Sequence, residues 1–196
     1  MIDYFALLDQ PRRPWLDSDE LKNTYYRKTL LAHPDAQTTR PRAAEADANF
    51  TSLNEAYQVL QDPKRRLHHL LSLEGAVPSS TDETVPQHLH DLFPAVGALT
   101  QRANLLLEKI RTTSNRLGRS LLKPEILEVQ NEAKEVRKKI QNLFDASLAE
   151  LRQINTAWAQ DPAEQIKSLS NLYVAFAYLT RWSAQLDEIT FQLSLH

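Results

Sequence analysis

Residues 50–66 read FTSLNEAYQVLQDPKRR, and the parsing of this stretch sets the fold expected for the whole chain. Ala46, Phe50, Leu53, Ala56, Tyr57 and Leu60 recur at three- and four-residue steps, which lays one apolar stripe along a helix that begins near Ala43. Asp62-Pro63 then suits an N-cap followed by a first-turn proline, so one helix ends there and another begins. That next helix carries Leu67, Leu70, Leu71 and Leu73 and runs to Gly75. Upstream lies a polar loop, 36–42, and before it His33-Pro34-Asp35. Pro34 disfavours the α conformation at His33, so the run from Leu21 to Ala32 stops there. Asp17 opens that earlier helix and, with Glu20 three residues on, forms an acidic analogue of a capping box; Leu21, Tyr25 and Leu31 or Ala32 give it an apolar face. Tyr4, Phe5, Leu7 and Leu8 make a first short helix, ended by Pro11 and Pro14. A carboxylate held in a loop, as Asp35 would be, can make a charge-assisted pair with an arginine of another protein.

Composition agrees with helices. The 196 residues contain three glycines against ten prolines, 42% hydrophobic and 24% charged residues, with a net charge of -2. Helices joined by proline-punctuated turns fit this better than a sheet. Cysteine is absent, which removes disulfides, thiolate metal sites and cysteine nucleophiles. No stretch approaches the roughly twenty apolar residues of a membrane span, and the start MIDYFALLDQ lacks a basic leader, so the expectation is a cytoplasmic protein without a membrane partner. Near-neutral charge gives no general reason to bind nucleic acid.

Past a linker at 77–87, rich in proline and serine, the pattern changes to long seams. Leu89, Leu92, Val96, Leu99, Ala103, Leu106 and Ile110 alternate three- and four-residue steps without a miss. A second seam runs Ile126, Val129, Ala133, Val136, Ile140, Leu143, then shifts to Phe144, Leu148, Leu151, Ile154 and Trp158, a helix of about 35 residues. Asp161-Pro162 caps a third, with Leu169, Leu172, Phe176, Leu179, Leu186 and Leu193. Short connections make neighbours antiparallel, hence a three-helix bundle over 88–196. Phe93, Leu105, Leu107, Tyr173, Tyr178 and Trp182 are left over by the seams and could line a groove for a partner.

Residues 2–75 resemble a J-domain. The resemblance rests on DYFALL at the start, on His33-Pro34-Asp35, and on F-x-x-L-N-E-A-Y-x-V-L-x-D-P-x-x-R from Phe50 to Arg66. The segment RLHHLLSLEGA from Arg66 further resembles the J-domain ending of the HscB-type iron-sulfur co-chaperones. It implies an all-α chain: an N-terminal J-domain helical hairpin (1–76), then a C-terminal antiparallel three-helix bundle. It also implies a co-chaperone that docks on a DnaK- or HscA-type heat-shock chaperone, stimulates its ATPase and delivers a client, the iron-sulfur scaffold IscU. The implied chaperone-binding residues are His33, Pro34, Asp35, Lys22, Arg27 and Lys28. This chain departs from the pattern. Tyr26 and Leu31 stand where basic residues are common, Ala36 replaces a usual lysine, and Lys28 occupies a usually apolar position. In the bundle, 87–108 holds only Asp91 and Glu108 as acids, with Pro94 and Gly97 as interruptions, so the scaffold-binding motif is not recognisable. Client contacts on this helix would fall on Leu92, Phe93, Val96 and Leu107.

Two other readings remain. A J-protein with a different client would serve general protein folding. A metal hydrolase built on His68, His69, His88 and His90 would need ligands that adjacent and alternate helical positions point apart. No catalytic residue or cofactor is expected. The acid-free run Lys109, Arg111, Arg116, Arg119 and Lys123 reads first as a solvated loop between helices, and second as a phosphate contact.

Overall fold

The structure, a computed structural model, describes residues 1–32, 43–77 and 85–196. The described residues form helices and turns throughout: α1 (Tyr4–Leu7), α2 (Ser18–Ala32), α3 (Ala43–Gln61), α4 (Pro63–Leu73), a 3-10 turn (Gln87–Leu89), α5 (Leu92–Thr112), α6 (Arg116–Trp158) and α7 (Pro162–Ser194). They divide into two compact units, 1–82 with 148–173 and 83–147 with 174–196. His33-Pro34-Asp35, the loop 36–42 and residues 78–84 of the expected linker lie outside the described residues.

In the first unit the starts of α1, α2 and α4 are fixed by carboxylates. Asp3 accepts from the N–H groups of Phe5 (3.0 Å) and Ala6 (3.3 Å), Asp17 from those of Asp19 (3.0 Å) and Glu20 (2.9 Å), and Asp62 from that of Arg65 (2.7 Å). These bonds satisfy donors that a helix leaves open at its first turn. Gly75, at φ +67°, closes α4 in the left-handed region, where the Ala76 N–H donates to Leu71 O at 2.8 Å and a side chain would be strained. The stripe expected on α3 is only partly core. Leu53, Ala56 and Leu60 are buried with Phe5, Leu8, Leu21, Leu67, Leu70 and Leu71, whereas Phe50 is exposed. The α2 and α3 helices pair through Tyr25, stacked on Tyr57 at 4.3 Å, with its hydroxyl on Asn54.

The second unit follows its seams closely. Every member of the α5 seam from Leu89 to Ile110 is buried in one core with Ile126, Val129, Ala133, Val136 and Ile140 of α6 and Leu179, Trp182, Leu186, Ile189 and Leu193 of α7. Burying a leucine of this kind contributes about 1.5–3 kcal/mol. Pro94 and Gly97 do not interrupt α5. Pro94 stands in the first turn, where its missing N–H has no partner to lose.

One expectation is corrected. The basic stretch from Arg116 to Lys123 is helix, not loop, and α6 runs 43 residues with Pro124 inside it. Asn115 is the reason, because its side chain accepts from the Gly118 N–H and its carbonyl from the Arg119 N–H. A Cβ at Gly118 would stand 2.7 Å from the Thr113 methyl and 2.8 Å from the Asn115 side-chain oxygen, so a larger residue there would push the capping side chain aside. Further along α6, Leu143 and Phe144, on either side of the shift in the seam, both pack against the second unit's core. Up to Ser147 the helix belongs to the second unit, and from Leu148 to the first.

Candidate functional site

On α2 the three cations singled out above have unequal fates. Lys28 donates to Leu7 O at 2.8 Å and to the Asp9 carboxylate at 2.7 Å, tying the end of α1 to α2. It therefore acts as a clasp, which explains a lysine at a position where an apolar residue is usual. Asp9 has φ 50°, a left-handed conformation that aspartate tolerates better than most residues. Its second oxygen is 4.0 Å from Arg27. Lys22 lies 5.9 Å from the centre of the Tyr26 ring. Beside these cations the helix exposes large apolar side chains, Tyr26 (53%), Leu30 (70%) and Leu31 (67%).

Two buried groups support this helical pair from below. Arg66 is 5% exposed, with Nε donating to Pro14 O at 2.8 Å and a terminal nitrogen to Leu60 O at 2.6 Å. Burial pushes its pKa down to about 10, against the pull of Asp62, so it remains charged at neutral pH. It joins the loop before α2 to the end of α3. His69 is buried under Tyr4 and Phe5, with ring centres at 4.6 and 5.6 Å. Its Nε2 accepts from the Tyr4 N–H at 3.1 Å, which requires the neutral ring with the proton on Nδ1. Burial lowers its pKa, while Asp3 raises it less. Burial alone would raise the Asp3 carboxyl, but bonds from Arg12 and the α1 backbone bring it below the usual range.

The end of α6 and the start of α7 complete the first unit. The indole N–H of Trp158 donates to Arg12 O at 2.9 Å, Asn155 accepts from the Trp15 N–H at 3.3 Å, and Arg152 lies over the Trp15 ring at 5.3 Å. His68 tilts against Tyr173, 5.6 Å between centres. The seam marked Trp158 as apolar but gave no sign of its bond to Arg12, since neither residue's spacing encodes a contact this distant in sequence.

On α5, Leu92 and Val96 belong to the core, and Leu107 is partly buried against it. As core residues, Leu92 and Val96 have no surface to offer a client. Phe93, 36% exposed, meets Trp182 and Tyr178 edge-on at 4.8 and 5.1 Å, and Arg181 lies over the Tyr178 ring at 4.7 Å. Three of the left-over residues thus form one aromatic cluster. The histidines do not assemble: His69 is taken by Tyr4, and His90 Nε2 contacts Val85 O at 3.1 Å. Among the described residues no group of three potential ligands is placed to hold a metal ion, and no helix is long and apolar enough to cross a membrane.

Known proteins match this geometry. Residues 3–69 match the DnaJ domain family. The co-chaperone protein HscB of Proteus mirabilis is 31% identical over 106 residues, covering 53% of this chain and 59% of that protein. The chaperone protein DnaJ of Gluconacetobacter diazotrophicus is 40% identical over 96 residues, 47% of this chain and 24% of that one. The chain thus spans at most about three-fifths of the curated relatives it matches. Among solved structures, the HscB chaperone of Vibrio cholerae superposes with a TM-score of 0.59 over 98% of this chain and 99% of that one, and human HscB with 0.56 over 96% and 82%, each at 18% identity. At that identity the likeness is one of fold.

Proposed function

We propose that this chain, a J-domain protein of the HscB type, is a co-chaperone that binds a DnaK- or HscA-type heat-shock chaperone, stimulates its ATPase and brings it a client. The observation that carries the reading is the coincidence of a DnaJ domain over residues 3–69 with an HscB fold over nearly the whole chain. In this reading 1–76 docks the chaperone through His33, Pro34, Asp35 and the neighbouring face of α2, 77–87 connects, and 88–196 holds the client. The hydrolysis is the partner's chemistry. Joining two weak binding modules keeps the client at high effective concentration beside the activated chaperone. The work is assigned to the cytoplasm.

His33→Gln is the direct test. In a single-turnover assay it is expected to abolish stimulation of the chaperone's ATP hydrolysis while helicity is kept; undiminished stimulation sinks the reading. The client assigned is the iron-sulfur scaffold IscU, on the resemblance to HscB. A different client is favoured by one observation, the burial of Leu92 and Val96 on a helix poor in acids. Titration against purified IscU separates the two, saturable binding supporting the scaffold and flat titration a different client.

A further inference from the structure

We propose that one face of α4 is a binding site for a small phosphate monoester, its phosphate held by Lys64, Arg65 and the free ring N–H of His69 and its remainder laid against aromatic rings. Nothing in chaperone docking requires such a site. A recess of about 330 Å³ opens where α4 meets Tyr4 of α1 and Tyr173 of α7, all within the first unit. That volume lies at the lower end of small-molecule sites. Lys64, Arg65, His68 and His69 all line it, and their three- and four-residue steps set them on one face of the helix. Among the described residues no carboxylate lines it. The acids of the neighbourhood are engaged: Asp62 accepts from the Arg65 N–H at 2.7 Å, and Glu55 faces the Tyr4 hydroxyl, whose pKa burial and then this carboxylate raise. Lys64, only partly exposed, and Arg65 have no ion-pair partner among the described residues. Two cations on a concave wall without an acid concentrate positive potential there.

His69 points to a ligand independently of these charges. It is 5% exposed, and its Nε2 is occupied by the Tyr4 N–H, which leaves the proton on Nδ1 as a donor. That donor has no acceptor among the described residues, yet no buried side-chain nitrogen or oxygen there is without a partner. It therefore reaches the surface, and the surface that His69 lines is this recess. A phosphate monoester carries close to two negative charges at neutral pH and three acceptor oxygens, enough for an ammonium, a forked guanidinium and a ring N–H together. A carboxylate offers one charge and two oxygens. The opposite wall is apolar: the Tyr173 ring tilts against His68 at 5.6 Å between centres, with buried Val59 beside them. A phosphate attached to a flat ring uses both walls, as a nucleoside monophosphate would.

The test uses the full chain at fixed pH and follows the His68 ring by proton NMR while adenosine monophosphate, adenosine or inorganic phosphate is added. Adenosine monophosphate is expected to shift the signal saturably, with half-saturation at about 1 mM. Inorganic phosphate should need about tenfold more, for want of ring contact, and adenosine should give no saturable shift. Lys64→Gln combined with Arg65→Gln should raise the half-saturating concentration of adenosine monophosphate about tenfold, with the circular dichroism spectrum intact. Lys138→Gln combined with Lys139→Gln, which removes two exposed lysines of α6, should leave it unchanged. Adenosine that binds as well as its monophosphate, an α4 double variant that saturates like the parent, or an equal loss from the α6 double variant overturns the phosphate site. Inorganic phosphate that saturates as readily as adenosine monophosphate overturns the role of the rings, and no saturable shift with any of the three overturns the site altogether.

Discussion

Helices α2 and α5 are both rich in large apolar residues, and they dispose of them in opposite ways. In α5, Leu92, Val96, Leu99, Leu106 and Ile110 vanish into one core, and Leu105 and Phe93 are what remains outside. In α2, Leu21 is buried, but Tyr26, Leu30 and Leu31 stay in water. The difference comes from the number of neighbours each helix must satisfy. A bundle helix has partners enough to cover a full stripe, whereas a helix packed chiefly against one neighbour has a second face for which folding provides no cover. An apolar residue on that second face stays exposed after folding.

The sharpest way to break the comparison is to truncate one leucine from each helix. Leu99→Ala should cost about 2–5 kcal/mol of stability in urea unfolding, and Leu30→Ala less than about 0.5 kcal/mol. Equal costs would mean that the α2 row is core after all. Next in size, Arg66→Met should cost about 2–3 kcal/mol, because the carbonyls of Pro14 and Leu60 lose a charged donor while remaining buried. That loss would sharpen the contrast, by showing that α2 is set in place by polar clasps where α5 is held by hydrocarbon. Trp158→Phe keeps an aromatic ring but loses the indole's second ring and its donor to Arg12 O; at least about 1–2 kcal/mol is expected, measured in the same way. A neutral result would remove that bond from the account of the first unit.

The smallest effect is one of pH. His69 is neutral in the fold with its pKa lowered by burial, so below about pH 6.5 the unfolded chain takes up a proton that the folded chain declines. Stability is therefore full above that pH and falls as pH drops through the lowered folded value. Asp3, held below its usual 3.8, adds a loss of the same sign in more acid solution. Amide exchange at the Tyr4 N–H should lose protection as pH falls through the lowered titration of His69, while that of Leu99 does not. Protection at Tyr4 that does not change when the His69 ring is seen by NMR to protonate would remove His69 as its acceptor.

The seams of the bundle were legible because a three-four alternation sustained over several turns has one stable outcome, burial, and α5 realised it residue by residue. The all-α class and the bundle were legible for the same reason, whereas the J-domain was read from a resemblance carried by DYFALL, His33-Pro34-Asp35 and the 50–66 motif. The true start of α6 was not, since a cap made by Asn115 and Gly118 looks in sequence like the turn residues of a loop. At the candidate site, Lys28 was legible as an anomaly but not as a clasp, because its partners Leu7 O and Asp9 lie some twenty residues upstream on a different helix. Leu92 and Val96 were named for a client on the strength of being apolar, and the core claimed them. Phe93 differs from them only in its place on the helix face, and it alone of the three keeps substantial surface.

The division of the long helices also bears on how the protein is made. Trp15 and the Arg12 carbonyl are completed by Asn155 and Trp158, 140 and 146 residues further along the chain, with Arg152 over the Trp15 ring. Domains generally form as their residues emerge. Here an earlier segment is finished late, and until α6 has passed its end the nascent chain carries Trp15 without the groups that complete it.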